Sequence, residues 1–226
     1  MKAFFNLEIK SMKRIVSTMV TGALVAGSMM LVQAQKADAR SQQILDKVAA
    51  KYKANKNTYF KFAFGSGSNG KVTKNETGIF YTTPTKYRLK IMGTEQIFDG
   101  SKIYNISDED QEVTIAKANG SEMMFSPTTY LNNYKKEYNT TYQGKATVAG
   151  KSTDVVKLVP VKDNGIKEVK IYLDPSSNQL VKIEQYSSDN DFSTITIQDY
   201  RANQNLKADM FTFNKNLYKN YMVTNL

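Results

Sequence analysis

From residue 57 to the C terminus, short runs of alternating apolar and polar residues follow one another, each closed by turn formers. Alternate side chains of a strand point to the same face, so each run reads as a strand with one apolar and one solvated side. "TYFKFAF" puts Phe60, Phe62 and Phe64 at every second position. "TKYRLKI" sets Tyr87, Leu89 and Ile91 against Lys86, Arg88 and Lys90, which point to water on this reading. The pattern continues through "ETGIFYTT", "EQIFDGSKIYNIS", "QEVTIA", "NTTYQGK", "STDVVKLVP", "IKEVKIYLD", "QLVKIEQYS" and "FSTITIQDY". About ten or eleven strands result. Joined by short turns such as Asp99-Gly100, neighbouring strands are antiparallel. A twisted sheet this wide curls or splits into layers. The chain is therefore mainly β, and curling gives an unclosed barrel with a hollow inner face.

Two helices interrupt the strands. In "ADARSQQILDKVAAKYKANK", Ile44, Leu45, Val48, Ala49 and Tyr52 share one helical face, with Asp38 or Ser41 as the cap. In "SPTTYLNNYKKEYN", Ser126 as cap and Pro127 at the first helical position start a second helix. Its apolar side is Tyr130, Leu131 and Tyr134. Two short helices are few to fill the inner face, so what they leave is a groove or cavity. The expected lining is Phe60, Phe62, Phe64, Ile79, Tyr81, Tyr87, Leu89 and Ile91 from the sheet, and Tyr130 and Leu131 from the second helix.

Residues 15–32 are apolar, small and uncharged, and follow Lys13-Arg14. This is a secretory signal peptide with cleavage after Ala34 or Ala39, starting at Met1 or Met12; the competing reading is a retained membrane anchor. Residues 35–226 then form a single domain. Removing residues 1–34 takes away four of the 31 Lys and Arg and one of the 21 Asp and Glu, leaving a net charge of +7. Export argues against a nucleic-acid partner; the charge fits anionic headgroups or acidic protein surfaces.

The chain has no cysteine, histidine or tryptophan. An exported chain without cysteine has no disulfides and no residue to carry a lipid anchor, so the expectation is a periplasmic, monomeric protein with no stable membrane insertion. Missing histidine and cysteine removes the commonest general base, the commonest metal ligand and the thiol nucleophile. Lys102 and Tyr104 belong to no catalytic constellation, and "SDED" and "SDND" read as solvated turns rather than calcium loops. Neither enzyme activity, metal nor cofactor is expected.

Several stretches together resemble the LolA-like periplasmic carriers of outer-membrane lipoproteins. "QILDKVAAKYKANKNTYFKFAF" is similar to that family's opening helix and strand, and "GIFYTTPTKYRLKI" to its strand, proline, strand segment. "IFDGSKIYNI" resembles the hairpin that follows, and "LDPSSNQLVKIEQYSSDNDFSTITIQDYRANQNLKADMFTFN" its last strands. The resemblance implies an unclosed antiparallel β-barrel with a helical lid over a hydrophobic cavity for acyl chains. It implies acylated lipoproteins or lipids as cargo, an inner-membrane exporter as donor and an outer-membrane acceptor. It puts Tyr87 at an aromatic, cavity-facing position. In the family an arginine before the proline latches the lid; Thr83 stands there in this chain. Two other readings remain beside the carrier: a lipoprotein-sensing module of the same fold, and an exported structural β-protein with a filled core.

Overall fold

A computed structural model describes residues 38–118 and 128–226. The signal segment and the expected Ser126-Pro127 helix start lie outside the described residues. The chain opens with α1 (Ala39–Lys53), followed by β1 (Thr58–Ser68), β2 (Lys71–Thr82), β3 (Tyr87–Ile91), β4 (Thr94–Phe98), β5 (Lys102–Ser107) and β6 (Glu112–Lys117). Then come α2 (Thr129–Glu137), β7 (Tyr138–Val148), β8 (Lys151–Pro160), β9 (Ile166–Asp174), β10 (Gln179–Ser187) and β11 (Asp191–Ala202). A 3-10 turn (Lys215–Tyr218) and β12 (Met222–Asn225) end it. No described helix is long and apolar enough to cross a membrane.

All twelve described strands form one sheet, ordered β12-β6-β5-β4-β3-β2-β1-β11-β10-β9-β8-β7. It is the expected open antiparallel sheet: among the described residues its two end strands, β7 and β12, do not pair with each other. The strand beyond the eleven read from the sequence is β12, which runs parallel to β6 with Val223 opposite Val113. The four residues of "MVTN" are too short to show a period.

Most connections are hairpins, so strand order follows chain order on each side of β1. The exceptions are β12, set beside β6, and the pair β1 and β11, which brings the first strand against the last long one. At the Asp99-Gly100 turn, the Asp99 carboxylate accepts both the Ser101 and Lys102 N–H at 2.8 Å. Gly100 there has φ +100°, a backbone that favours glycine.

Helix α1 is anchored at its first residue. Asp38 caps it by accepting the Arg40 N–H at 3.1 Å, and its other carboxylate oxygen takes the Tyr142 N–H of β7 at 3.0 Å. The Asp38 N–H itself bonds Thr140 O at 3.1 Å. Ser41, the other expected cap, sits inside the first turn, buried against the Thr140 hydroxyl at 2.7 Å. These bonds hold the Asp38 carboxyl below its usual range, the Tyr142 N–H contributing most. The buried side of α1 is Leu45, Val48 and Ala49, as its periodicity predicts.

The two faces of the sheet carry separate apolar clusters. The inner face, which the helices cover, holds Phe60, Phe62, Phe80, Tyr87 and Leu89 with Leu45, Val48, Leu131 and Tyr134. The outer face holds a smaller cluster, Ile97, Ile106 and Val113, under Phe213, Tyr218, Tyr221 and Val223 of the C-terminal segment.

Candidate functional site

The inner face is built around β1. Phe60 and Phe62 are fully buried, and Tyr87 and Leu89 of β3 are only 2 % exposed. Registers place Phe80 of β2 opposite Phe60, and Leu89 opposite Phe80. Rings therefore run across the strands: Tyr52 to Phe60 at 5.8 Å, Phe60 to Phe80 at 6.5 Å, Phe80 to Tyr87 at 5.9 Å, and Tyr87 to Phe98 at 5.5 Å. Opposite Phe62 the partner is Gly78. A Cβ there would lie 2.3 Å from the Phe62 ring, so the glycine provides the seat for that ring.

Phe64, Ile91, Tyr130 and Ile166 are only partly buried and pack against the edge of the same cluster. By register, Phe64 lies on a row beyond Phe60 and Phe62, opposite Ile195. The inner face thus grades from a sealed aromatic row at Phe60, Phe80 and Tyr87, where side chains of the two helices fill the space of the expected cavity, to a partly open rim at Phe64.

Ile79 and Tyr81, expected on this face, are on the other one. Residues directly opposite in a hairpin share a face, and Thr82 pairs with Tyr87. The turn at residues 83–86 therefore matches even positions of β2 to odd positions of β3. Counting every second residue straight through the turn selects the wrong face, and Phe80 takes the inner position instead. Ile79 and Tyr81 line an outer hollow of about 220 Å³ with Arg88, Lys90, Glu95 and Met210. Lys86 and Lys90 are exposed as expected. Arg88 is not simply in water: it pairs with the buried Glu95 and donates to Met210 O at 3.2 Å.

Few polar groups reach the inner face. The Tyr87 hydroxyl donates to Gln96 Oε1 at 2.7 Å, and the Gln96 amide donates to Asn105 Oδ1 at 2.6 Å. The Tyr52 hydroxyl accepts the Leu180 N–H at 3.0 Å, and burial pushes it above the usual phenol range. Such a satisfied, uncharged lining, among the described residues, suits hydrocarbon.

The helices are fastened over this face at identifiable points. Asp46 of α1 accepts the Tyr134 hydroxyl of α2 and pairs with Lys135 at 2.6 Å. Those two partners, Lys135 first, hold the Asp46 carboxyl below its usual range. The Tyr130 hydroxyl donates to Gln185 of β10. Lys51 of α1 donates to Ser177 O at 2.5 Å. Thr83, where the resemblance places a lid latch, is engaged within its own turn. Its N–H donates to Lys86 O at 2.8 Å and its hydroxyl accepts the Lys86 N–H at 3.0 Å.

Sequence reading missed Phe80, Phe98, Tyr52 as a ring partner, and Tyr200. Hairpin parity, applied across residues 83–86, would have found Phe80. Tyr200 stands opposite Phe60 only because the β1–β11 register shifts between Lys61 and Phe62, which no local pattern encodes.

The sequence pattern of the family described as outer membrane lipoprotein carrier protein LolA matches residues 64–214. Among curated protein sequences none matches this chain. Among solved structures, the chain is similar to an uncharacterized conserved protein from Thermus thermophilus. Identity is 10 %, with 83 % of this chain and 99 % of that one covered and a TM-score of 0.58. A putative outer membrane lipoprotein-sorting protein domain from Vibrio parahaemolyticus is 13 % identical over 80 % of this chain and 98 % of that one, at a TM-score of 0.43. A LolA superfamily protein from Nitrosomonas europaea is 11 % identical over 76 % and 97 %, at 0.39.

Proposed function

This chain belongs to the outer membrane lipoprotein carrier protein LolA family, and from that premise we propose that it carries acyl chains of lipoproteins or lipids between membranes of the cell envelope. It is a binding protein rather than an enzyme. The observation that carries this reading is the inner face: a row of buried rings and aliphatics on which α2, away from its C-terminal residue, is held by a handful of side-chain bonds.

Among the described residues the row at Phe60, Phe80 and Tyr87 is covered, so loading there requires the cover to lift. Magnitudes favour that. The buried residues of α2 are Leu131 and Tyr134, each worth roughly 1.5–3 kcal/mol when buried. The Tyr134–Asp46 and Tyr130–Gln185 bonds add about 1 kcal/mol apiece. An acyl chain of about fourteen carbons, at ~0.8 kcal/mol per methylene, offers over ~10 kcal/mol of gross transfer energy. Hydrocarbon can therefore replace α2 on the inner face. Because α2 competes to return, the net affinity stays moderate, which suits a carrier that must release its cargo. Phe60, Phe62, Phe64, Tyr87, Leu89, Ile91, Tyr130 and Leu131 are the proposed contacts, joined by Phe80; Ile79 and Tyr81 are not among them.

Asp46 with Tyr134 and Lys135, rather than Thr83, supplies the latch on this reading. The donor is an inner-membrane exporter and the acceptor lies at the outer membrane. Residues 1–34 direct export, and cleavage falls after Ala34. Cleavage after Ala39 would remove Asp38, and with it the cap of α1 and its two bonds to β7. N-terminal sequencing of the exported form should begin at Gln35; a start at Arg40 contradicts this assignment.

The function is tested by purifying the protein from the envelope and measuring bound small molecules by native mass spectrometry. Acyl-chain adducts that leave when α2 is tethered to α1 are expected. A protein free of adducts that also fails to take up acyl probes in vitro returns the reading to a structural β-protein.

A further inference from the structure

Beside the rim of the interior lies a second, polar hollow. It has a volume of about 300 Å³ and is walled by Asn164, Ile166, Gln185, Ser187, Ser188 and Asp189. The residues come from the β8–β9 and β10–β11 turns (Asn164, Ser188, Asp189) and from the strand ends beside them (Ile166 of β9, Gln185 and Ser187 of β10). These turns are tied together: the Ser188 N–H donates to Gly165 O at 2.9 Å. Within the first, Asp163 accepts the Gly165 N–H at 3.1 Å and Asn164 accepts the Ile166 N–H at 3.2 Å. The hollow is thus shaped before anything binds.

Two of its residues belong to the interior as well. Ile166 packs against the inner apolar cluster. Gln185 accepts the hydroxyl of Tyr130 on α2. The apolar interior and the polar hollow therefore share a wall, and the Tyr130–Gln185 bond spans the boundary. Lifting α2 breaks that bond and frees the Gln185 amide oxygen beside the hollow.

We propose that this hollow holds the polar head of the acylated cargo, and that it selects an uncharged ester, hydroxyl or amide head over a phosphate. The inference rests on the acyl-carrier reading. Hydroxyls of Ser187 and Ser188 and, once α2 lifts, the amide of Gln185 are matched to ester and amide groups, while the Asn164 side chain stays engaged with the Ile166 N–H and Tyr138. The volume lies at the small end of ligand sites and suits a glyceryl-sized group. A phosphate is recognised by arginine forks, lysines or clustered N–H groups at a helix start. Here the lining's charged residue is the carboxylate of Asp189. The two turns and the strand ends beside them carry Asp163, Asp189 and Asp191 against Lys162 and Lys167, so an anionic head meets local repulsion although the chain as a whole is basic.

The head can come from an acylated polypeptide or from a free glyceride, which share this chemistry. The test uses the purified exported protein and three competitors against a pyrene-labelled alkane: a synthetic diacylglyceryl peptide, dioleoylglycerol and dioleoylphosphatidylglycerol. The two uncharged heads should outcompete the phosphatidyl lipid by about tenfold, and Asp189→Lys should shrink that gap to about threefold or less. Asp189 is exposed in a turn, so the variant should keep its melting temperature and its alkane affinity. Peptide over glyceride identifies the source as acylated polypeptide, the reverse order as free lipid, and either supports the site. Equal affinity for all three heads, or a gap that Asp189→Lys leaves unchanged, overturns the head site while the alkane still binds. Failure to bind the alkane itself overturns the carrier reading and the head site with it.

Discussion

The sheet has an apolar cluster on each face, and the two are covered in different ways. On the outer face, the C-terminal segment stacks Phe213 on Tyr104 at 4.7 Å and Tyr218 on Phe213 at 5.4 Å. It then adds β12 to β6 by backbone pairing. The Tyr218 hydroxyl also reaches Glu95 at 3.3 Å, and Arg88 clamps Met210 O from the same ion pair. On the inner face, α2 has no ladder to the sheet. It runs directly into β7 and is held by backbone at its last residue, where Glu137 O accepts the Val161 N–H at 2.8 Å; the rest of it lies on two buried side chains and a few side-chain bonds. Both clusters are hydrophobic, so hydrophobicity does not tell a binding surface from a structural core. On the proposed reading the fastening of the cover does: backbone pairing and stacked rings make a permanent lid, while a short helix held mostly by side-chain bonds makes a removable one.

This contrast can be broken by mutation, beginning with the largest effect. Ile106→Ala hollows the fully buried centre of the outer cluster and should cost about 2–5 kcal/mol of stability. Urea denaturation measures it, and the folded fraction should load an acyl probe at the wild-type rate. Leu131→Ala removes a buried contact of α2 and should cost about 2–3 kcal/mol, or less if α2 frays locally instead of the whole domain unfolding. Its probe uptake should rise. If Ile106→Ala speeds uptake as much as Leu131→Ala does, the two covers are not different in kind.

Smaller effects sharpen the same point. Asp46→Asn weakens the latch, and since the ion pair is at the surface its stability loss should stay under about 1 kcal/mol. Stopped-flow uptake should nevertheless accelerate several-fold. The pH dependence has a definite sign. Asp46 titrates below its ordinary value in the folded state, so its contribution is present above the unfolded pKa of about 3.9 and is lost as pH falls through the folded one. Acidification below about pH 4 should speed uptake in the wild type and not in Asp46→Asn. Least of all, Thr83→Ala should change uptake by less than twofold and stability by about 1 kcal/mol or less, since its bonds stay within one turn.

Much of this architecture is legible in the chain. The period of two in "TYFKFAF" and "TKYRLKI" gives the inner positions of Phe60, Phe62, Tyr87 and Leu89, and the apolar stripe of α1 gives its buried side. What fails is whatever depends on pairing rather than period. Alternation carried straight through residues 83–86 points Ile79 and Tyr81 inward, and that turn reverses parity. β12 leaves no signal because four residues paired in parallel carry no alternation of their own. The proposed latch is invisible for a related reason. Asp46, Lys135 and Tyr134 are a surface charge pair and a helix-face tyrosine in sequence, and only the packing of α1 beside α2 brings them together.

The central claim, that α2 moves to admit an acyl chain, can be tested with a tether. The chain has no cysteine of its own, so Asp46→Cys with Lys135→Cys supplies the only two thiols, to be bridged by a short bis-maleimide. The bridged protein should lose uptake of a pyrene-labelled acyl chain, while the unbridged double variant takes it up at least as fast as wild type. Uptake by the bridged protein at the unbridged rate and affinity would contradict the account.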